Sequence, residues 1–241
     1  MSKDKLQRAL GYPYPIPGAS YIVEDGETRP LAAAEAARHR AGRTGVLAVG
    51  SNQSPAQIAR KYQGGGWGPV PCEKCRVIGF DTVFSAHITA YGSIAATLHP
   101  SPGTTVDLIV NWLDQRQLER MHETELPNEN YTFARLEGIE LVTELGIKLD
   151  SIHFYNGRRG AFVPDGQPIP FAAVAAEGRR WQAATQHAMQ DVIRRMTDPG
   201  QTLEDFILSS IDGLETRRQR TEILAETSAP FEYPGLRILR S

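Results

Sequence analysis

The sequence predicts an α+β fold in which a mixed, barrel-like β-sheet is flanked by helices. Segments typical of strands dominate the middle of the 241-residue chain, whereas helical composition is concentrated outside them. An apolar strand and a helix precede the strand-rich middle, and further helices follow it. Strands gathered in the middle with helices outside are typical of α+β proteins. A chain of this length can also bury a substantial core.

The first 43 residues are predicted to be an N-terminal extension. Segment 12–18 reads Tyr-Pro-Tyr-Pro-Ile-Pro-Gly, which cannot be helical and predicts an extended, polyproline-like arm. The strong helix formers of 31–38 predict a short helix that stops at Gly42. The arm either packs across its own domain or a partner subunit, or is a ligand for a proline-recognising domain.

A buried strand leads into the first of two segments that carry chemistry. Residues 46–49 are apolar on both faces, as expected for a buried strand, and Gly50, Ser51 and Asn52 follow. Such a turn presents backbone N–H groups and small polar side chains together, which suits binding of a carboxylate or an oxyanion. Asn52 has an alternative role, because its side chain can hydrogen-bond its own backbone and cap the turn.

A helix and a glycine-rich segment are predicted after this turn. Ser54 suits the N-cap, Pro55 suits the first helical position, and Gln57 completes a capping box, so the helix should run to about Tyr62. Segment 64–69 then interrupts regular structure, either as a lid or as a simple connector. It lacks the Lys-Ser/Thr ending of a phosphate-binding loop, which argues against a nucleotide site.

The middle of the chain is predicted to hold seven strands and one helix. Turns are expected at 99–103 and 137–138, and Asp114 opens a helix with a capping box that must end before Pro127. The predicted strands cover 77–80, 82–91, 93–97, 105–112, 131–136, 139–145 and 151–155.

The C-terminal third is predicted to be helical at first and then irregular. Helical composition covers 171–196, and Thr202 caps a further helix through about Ile211. From Glu215 the tail is charged, and we expect it to dock loosely. The predicted domain organisation is an N-terminal extension at 1–43, a catalytic domain at 44–196, and a C-terminal helix and tail at 197–241.

Composition and charge argue against several classes of partner. The 26 basic and 28 acidic residues are interspersed and give a net charge of −2, so no basic patch indicates nucleic acid or an anionic membrane. No apolar run approaches the ~20 residues that span a bilayer. No apolar segment follows the charged N-terminal residues, as it would in a secretory signal. We therefore expect a cytoplasmic protein that binds neither nucleic acid nor membrane.

The two cysteines, Cys72 and Cys75, form a single Cys-x-x-Cys pair. Such a pair can be redox-active or supply half of a zinc site, but a structural zinc site needs four ligands and the histidines show no matching spacing. Pro71 precedes the pair, and an apolar strand follows it. We expect two reduced thiols without a chemical role and no metal, with a redox pair as the alternative.

The second segment that carries chemistry is the helical stretch 118–125. Glu125 lies at its end, and we expect partial burial by Trp112, Leu118 and Met121 to raise its pKa into a range useful for general acid–base catalysis. A helix-end carboxylate can equally be an ordinary solvated group. Glu125 is therefore the first candidate for the general acid–base, and nearby residues have to be weighed as alternatives.

Other residues nearby offer alternatives. Glu123 is two positions earlier and lies on a different face of the helix. His122 is adjacent, but no positioned Ser or Cys nucleophile supports a His-based hydrolase, and Ser51 lacks a Gly-x-Ser-x-Gly elbow. Tyr131 begins a predicted strand and either belongs to the core or offers a hydroxyl at a pocket wall.

These segments together resemble the gamma-glutamylcyclotransferase-like family, whose signature is a Tyr-Gly-Ser-Asn loop and a later catalytic Glu. Residues 50–52 match the end of the loop, and 95–100 is similar to the Ala-Thr-hydrophobic-x-Pro segment of the family. Glu125 and Tyr131 are similar to the Glu and Tyr that follow. Val49 departs from the pattern, because it stands where the family has Tyr and so removes a phenol from the pocket.

The resemblance implies a barrel-like fold and a cofactor-independent enzyme. Its substrate would be a gamma-glutamyl amide, a small molecule, which is cyclised to 5-oxoproline with release of an amine. Glu125 would move the proton, Gly50, Ser51 and Asn52 would bind the substrate, and Val49 and Tyr131 would line the pocket. The resemblance is compatible with a homodimer.

Three other functions stay open at this point. The same pocket can act on a different acyl amide as a hydrolase or an acyltransferase. It can also bind a small carboxylate or amide without turnover. A scaffold that works through the Pro/Tyr arm would depend on residues 1–40 and not on Glu125.

Overall fold

The computed structural model describes residues 2–127 and 130–241. Within these residues the chain forms seven α-helices and eleven strands. The helices are α1 (Ser2–Leu10), α2 (Ala33–Arg40), α3 (Pro55–Lys61), α4 (Gln115–Glu125), α5 (Gln186–Thr197), α6 (Leu203–Asp212) and α7 (Leu214–Ala225). The strands are β1 (Tyr21–Glu24), β2 (Glu27–Pro30), β3 (Thr44–Ala48), β4 (Val70–Ile88), β5 (Ile94–Leu113), β6 (Tyr131–Thr143), β7 (Lys148–Gly157), β8 (Ala161–Phe162), β9 (Ala176–Glu177), β10 (Ser228–Ala229) and β11 (Leu236–Arg240).

Five strands close into a barrel, which confirms the predicted α+β fold with a mixed, barrel-like sheet. The strand order β4–β5–β3–β7–β6 returns to β4, because β6 also pairs with β4. All of these pairs are antiparallel except β3 with β7, which is parallel. The remaining strands extend the sheet around this barrel. A closed sheet leaves no exposed edge between these five strands.

Two predicted turns are wrong, because the chain bends there without reversing. Segment 99–103 lies inside β5, where the register against β4 shifts between Ile78 and Phe80. Gly138 lies inside β6, where the register against β7 shifts between Glu137 and Leu141. Gly138 has a φ of 71°, a conformation that glycine adopts readily and that is common at β-bulges. The glycines therefore mark irregularities in continuous strands, which bend the sheet toward closure.

The core is divided by the barrel wall. Alternate residues of each strand point to opposite faces. One cluster of buried side chains includes Leu47, Val110 and Phe154. A second cluster includes Val46 and Ile109 from the opposite faces of the same strands, together with buried residues of α3 and α4. The end of β3 therefore lies between two packed layers, which fixes the turn that follows it.

The N-terminal segment packs on the barrel. Tyr21 to Val23 of β1 pair with Val70 to Cys72 of β4, and α1 packs on α6. Within the proline-rich arm, Tyr12 is 5% exposed and belongs to the main core cluster. The predicted helix of 31–38 is observed as α2, whereas α1 has no counterpart in the sequence prediction.

The C-terminal region is more ordered and less helical than predicted. Residues 171–185 are not helical, because Arg179 folds back to bond Asp81 and the carbonyl of Val174. The tail after Glu215 does not dock loosely: it forms most of α7, and β11 pairs with β6. Within α7, Arg220 is 2% exposed and donates to Asp198 at 2.7 Å. This ion pair, with its buried guanidinium, anchors the tail.

The starts of α4 and α6 agree with prediction, and a side chain caps each of them. Asp114 accepts from the N–H of Gln117, and the capping box is present at the start of α4. Thr202 caps α6 in the same way. Ser54 occupies the N-cap of α3 but makes no side-chain cap hydrogen bond, and Gln57 accepts from Arg60 instead.

Candidate functional site

A cavity of about 440 Å³ opens where β3 runs into the turn at residues 50–52. Its walls come from this turn, from the facing sides of α3 and α4, and from the ends of β6 and β7. A volume of this size suits a small molecule. The polar side chains of the wall include Tyr12, Ser51, Asn52, Arg60, Lys61, His87, Tyr91, Arg120, Glu125, Tyr131 and Tyr155.

Glu125 lies in the wall of this cavity and is held through one of its two oxygens. Oε1 accepts from Nδ2 of Asn52 at 3.1 Å and forms an ion pair with Lys61. Within residues 2–127 and 130–241, no hydrogen bond engages Oε2. The Glu125 side chain is 16% exposed. The carboxylate is therefore fixed in place with one oxygen available to a ligand.

Lys61 is the residue of this site that the sequence analysis missed. It is the last residue of α3, its side chain is 7% exposed, and its ammonium also donates to Oγ1 of Thr124 at 3.0 Å. Met121 packs against the same ammonium, with Sδ at 3.3 Å. A lysine at a helix C-terminus is common, so nothing local in the sequence distinguishes this one.

The ion pair reverses the predicted pKa shift of Glu125. Burial of the carboxylate raises its pKa, but the Lys61 ammonium and the hydrogen bonds from Lys61 and Asn52 outweigh burial, so the pKa of Glu125 lies below its ordinary value. Glu125 is consequently ionised in the empty site at neutral pH. Of the three residues expected to bury it, Met121 lines the cavity, whereas Trp112 donates to Glu73 in the core.

The turn at residues 50–52 lies beside Glu125 in the cavity wall, and its side chains make distinct contacts. The Asn52 side chain points into the site, where its Nδ2 donates to Glu125. It does not cap its own turn. Its Oδ1 is buried and makes no hydrogen bond within the described residues. Ser51 lines the cavity together with Tyr91. Val49 is 8% exposed and belongs to the core cluster, while its carbonyl accepts from Nε2 of Gln53 at 3.0 Å.

Four tyrosines line the cavity, of which the sequence analysis named one as a site residue. Tyr131 is present as predicted, at the first position of β6. Tyr12, Tyr91 and Tyr155 join it from distant parts of the chain. Burial raises the pKa of each of the four, with the charge of Glu125 contributing. They therefore stay protonated at neutral pH and can donate hydrogen bonds.

The structure separates the alternatives near Glu125. Glu123 is 65% exposed and pairs with Arg120 at 2.9 Å on the surface. His122 is buried behind the cavity wall, where Nδ1 lies 2.8 Å from the hydroxyl of Tyr155. Burial lowers the pKa of His122, so this imidazole is neutral at neutral pH.

The glycine-rich segment is attached to α4. Gln117 donates to the carbonyls of Trp67 and Pro69, and Arg116 donates to the carbonyl of Gly66. The guanidinium of Arg116 also lies 4.2 Å from the centroid of the Trp67 ring. These contacts hold the segment against the helix that carries Glu125.

Both cysteines are buried on β4 and unpaired. They are three positions apart on a strand and so point to opposite faces, with Cys75 and Cys72 in different core clusters. Burial raises the pKa of the Cys72 thiol to about 12. Among the residues that the structure describes, no group of three or more His, Cys, Asp and Glu side chains could hold a metal ion. None of the described helices is long and apolar enough to cross a membrane.

Comparison with known proteins gives similar solved structures at low identity. A protein named gamma-glutamyl cyclotransferase is 16% identical, with a TM-score of 0.38 over 82% of this chain and 94% of that chain. An uncharacterized protein from Homo sapiens is 15% identical, with a TM-score of 0.37 over the same shares. A protein from Arabidopsis thaliana is 18% identical, with a TM-score of 0.36 over 48% of this chain and 69% of that chain.

No family model and no curated protein matches the sequence. Similarity at these TM-scores does not assign an activity to this chain.

Proposed function

We propose that the chain is a cyclotransferase that acts on gamma-glutamyl amides or related acyl amides. The observation that carries this proposal is the position of Glu125, a fixed and ionised carboxylate in the wall of the cavity, in contact with Asn52 of the turn at 50–52. The sequence resemblance points to the same pair of elements.

The charges of the cavity suit a substrate that carries both an ammonium and a carboxylate. Arg60, Lys61 and Arg120 line it together with Glu125. Arg120 is already paired with Glu123, and Lys61 with Glu125, which leaves Arg60 as the cavity cation without an acidic partner among the described residues. The turn at 50–52 would add backbone N–H groups as donors to the carboxylate. Glu125 would receive the α-ammonium.

The reaction would be intramolecular. Glu125 takes a proton from the α-ammonium, the neutral amine attacks the γ-carbonyl carbon, and a new C–N bond closes a five-membered ring. Glu125 then returns its proton to the original amide nitrogen, and the bond from the carbonyl carbon to that nitrogen breaks as the C=O re-forms. The ring nitrogen gives up its second proton, which the departing amine takes as it leaves. The products are 5-oxoproline and this amine. Holding the chain bent would supply much of the acceleration, because cyclisation needs the amine aligned with the carbonyl.

Lys61 has a defined part in this scheme. In the empty site its ammonium occupies Oε1 of Glu125, whereas the substrate ammonium would approach Oε2. The proton passes to a carboxylate whose basicity is reduced by Lys61. As the substrate carboxylate binds, it would draw the Lys61 ammonium toward itself and restore basicity to Glu125.

Mass spectrometry of a panel of gamma-glutamyl amino acids and gamma-glutamyl amines tests the proposal. Wild type is expected to release 5-oxoproline, and Glu125→Gln is expected to lose about 10²–10⁴-fold in rate because it removes the general base. Glu123→Gln is the matched control, since it makes the same change two residues away on the exposed face. Its rate is expected to equal that of wild type.

The other results of this experiment decide between the remaining functions. Release of free glutamate would identify an amide hydrolase, since water would then reach the carbonyl. Equal rates for wild type and Glu125→Gln would overturn the assignment of the base. No turnover across the panel would overturn the cyclotransferase proposal.

One observation favours a second candidate, a binding protein that holds a small carboxylate or amide without turnover. The Lys61 ammonium lowers the pKa of Glu125, and a weaker base suits an ion pair with a ligand better than it suits proton transfer. Calorimetric binding of a gamma-glutamyl amide that is recovered unchanged would establish this candidate.

A further inference from the structure

A tyrosine from the N-terminal extension reaches the candidate site. Tyr12 is 5% exposed, lines the cavity and places its hydroxyl against the turn at 50–52. The hydroxyl oxygen accepts from the backbone N–H of Ala96 on β5 at 3.0 Å. The ring is held by Tyr14 and Phe171, with centroids at 6.0 and 5.8 Å. Tyr12 is therefore a fixed part of the cavity wall.

Gly50 provides the space for this hydroxyl. Its φ is −115° and its ψ is −131°. A Cβ at Gly50 would overlap the Tyr12 hydroxyl oxygen, and it would lie 3.2 Å from Cζ of Tyr12 and 3.4 Å from Cβ of Ala96. The glycine of the turn and the tyrosine of the arm thus fit each other, although 38 positions separate them in the sequence.

The hydroxyl has a proton to donate. Burial, together with Tyr131, Tyr91 and Glu125, raises the pKa of Tyr12 well above its ordinary value, so the phenol stays protonated. Its oxygen takes the Ala96 N–H, and within residues 2–127 and 130–241 no protein group accepts its proton. A hydroxyl that accepts one hydrogen bond donates the next one more strongly.

We propose that the Tyr12 hydroxyl donates a hydrogen bond to the carbonyl oxygen that becomes negatively charged during the attack, and that the N-terminal extension is therefore part of the catalytic unit. This inference rests on the proposed function. The donor is preorganised, because its ring is packed and its oxygen is held by Ala96. Preorganised donors aimed at a developing oxyanion stabilise the transition state more than the bound substrate.

Steady-state kinetics of Tyr12→Phe on a turned-over member of the gamma-glutamyl panel tests the inference. The change removes the hydroxyl and keeps the ring. We expect kcat to fall about 10²–10³-fold, as it does when one oxyanion donor is removed, with KM changing by less than threefold. Tyr62→Phe is the matched control, because Tyr62 is also buried and its hydroxyl donates to the carbonyl of Gln117 outside the cavity. Its kcat should equal that of wild type.

A second variant tests the same inference even if Tyr12→Phe fails to fold. Gly50→Ala should displace the hydroxyl and lower kcat by a similar factor, and the double variant Gly50→Ala/Tyr12→Phe should be no slower than the slower single variant. Full multiplication of the two losses would overturn the inference, since it would mean that the two residues act separately.

The results also distinguish this inference from the proposed function. A wild type that releases 5-oxoproline, an inactive Glu125→Gln and a Tyr12→Phe within twofold of wild type would overturn the role of Tyr12 alone. A rise in KM without loss of kcat would do the same, since it would indicate a contact to the bound substrate only. A wild type that turns over no member of the panel would overturn both proposals.

Discussion

Glu73 and Glu125 are both paired with a cation from a neighbouring helix, yet they are held in opposite ways. Glu73 is fully buried, and its two oxygens accept from Arg40 of α2 at 3.1 and 2.9 Å and from Nε1 of Trp112 at 3.0 Å. Glu125 is 16% exposed, and its bonds to Lys61 and Asn52 both fall on one oxygen.

The difference separates a carboxylate whose hydrogen-bonding capacity is filled by the fold from one that keeps a free oxygen at a cavity. A buried charge is tolerated where its hydrogen-bonding capacity is filled, and Glu73 meets this condition between α2 and the barrel. Glu125 keeps one oxygen without a hydrogen bond beside a cavity. Within the described residues, this oxygen makes no contact that would stabilise the fold. We expect a carboxylate oxygen to be left without a partner where a bound ligand supplies the missing hydrogen bond.

The largest effect is expected from Glu73→Gln. It removes one partner of a buried, hydrogen-bonded ion pair and leaves Arg40 and Trp112 with an amide in place of a carboxylate, which typically lowers the free energy of unfolding by about 3–5 kcal/mol. Urea denaturation followed by circular dichroism measures this loss. The folded fraction should keep its activity, because Glu73 does not reach the cavity.

Glu177→Gln is the control for this prediction. Glu177 also pairs with an arginine, Arg76, but its side chain is 80% exposed, and exposed pairs contribute about 0–1 kcal/mol. A loss in Glu73→Gln no larger than that in Glu177→Gln would show that the filled pair does not support the fold.

A smaller effect on stability, with a clear pH signature, is expected from Lys61→Met. The variant keeps the aliphatic stem and leaves the Glu125 carboxylate without its cation, which is expected to lower the free energy of unfolding at neutral pH by about 1–3 kcal/mol. The pKa of Glu125 should rise, because burial then opposes ionisation with only Asn52 and the more distant Arg60 favouring it. The acid limb of the activity profile should move to higher pH in step.

The direction of the stability change with pH follows from the same pair. In wild type the lowered pKa of Glu125 adds stability above the pKa of the unfolded chain, and this stability is lost as the pH falls through the lower pKa of the folded state. Lys61→Met should lose that acid-side contribution. NMR titration of the Glu125 carboxyl carbon measures the shift, and Arg60→Met, one residue away, should give a smaller one. An unchanged Glu125 pKa in Lys61→Met would contradict the pairing.

Local signals predicted the parts of the fold that depend on local physics. The capping side chains of Asp114 and Thr202 satisfy N–H groups within the same turn, so the starts of α4 and α6 could be read from the sequence. Gly138 misled for the same reason, because a glycine with positive φ serves a bulge within a strand as well as a turn between strands. In the structure β6 continues through Gly138 and pairs with β4 beyond it, so this glycine belongs to a bulge and not to a turn.

The candidate site was predicted only in part, since its contacts join distant segments. The sequence singled out Glu125, the turn at 50–52 and Tyr131, and the structure brings them around one cavity. Lys61 and Tyr12 reach the site through contacts that span 64 and 84 residues. Their neighbours in the sequence predicted a helix end, which is correct, and an extended, polyproline-like arm, which is wrong at its start, because the chain turns at residues 11–13 and Tyr14 has a φ of 70°. Neither local prediction reveals a site.

The smallest effect on stability is expected from Asn52→Ala. Asn52 gives one hydrogen bond to Glu125, and its buried Oδ1 has no partner within the described residues. Removing the side chain therefore loses one anchor and also removes an unsatisfied atom, so the free energy of unfolding should fall by about 1 kcal/mol or less. Activity should fall more than stability, by about tenfold, because the carboxylate then depends on Lys61 alone for its orientation.

Asn52→Asp separates orientation from charge at the same position. It keeps the shape of the side chain but places a second carboxylate against Glu125, which raises the pKa of Glu125 by like-charge repulsion. If Asn52 only orients Glu125, both variants lose activity and Asn52→Asp alone shifts the acid limb of the profile to higher pH. Full activity in Asn52→Ala would mean that the single Lys61 contact suffices, and the half-filled carboxylate would then owe its position to α3 rather than to the turn.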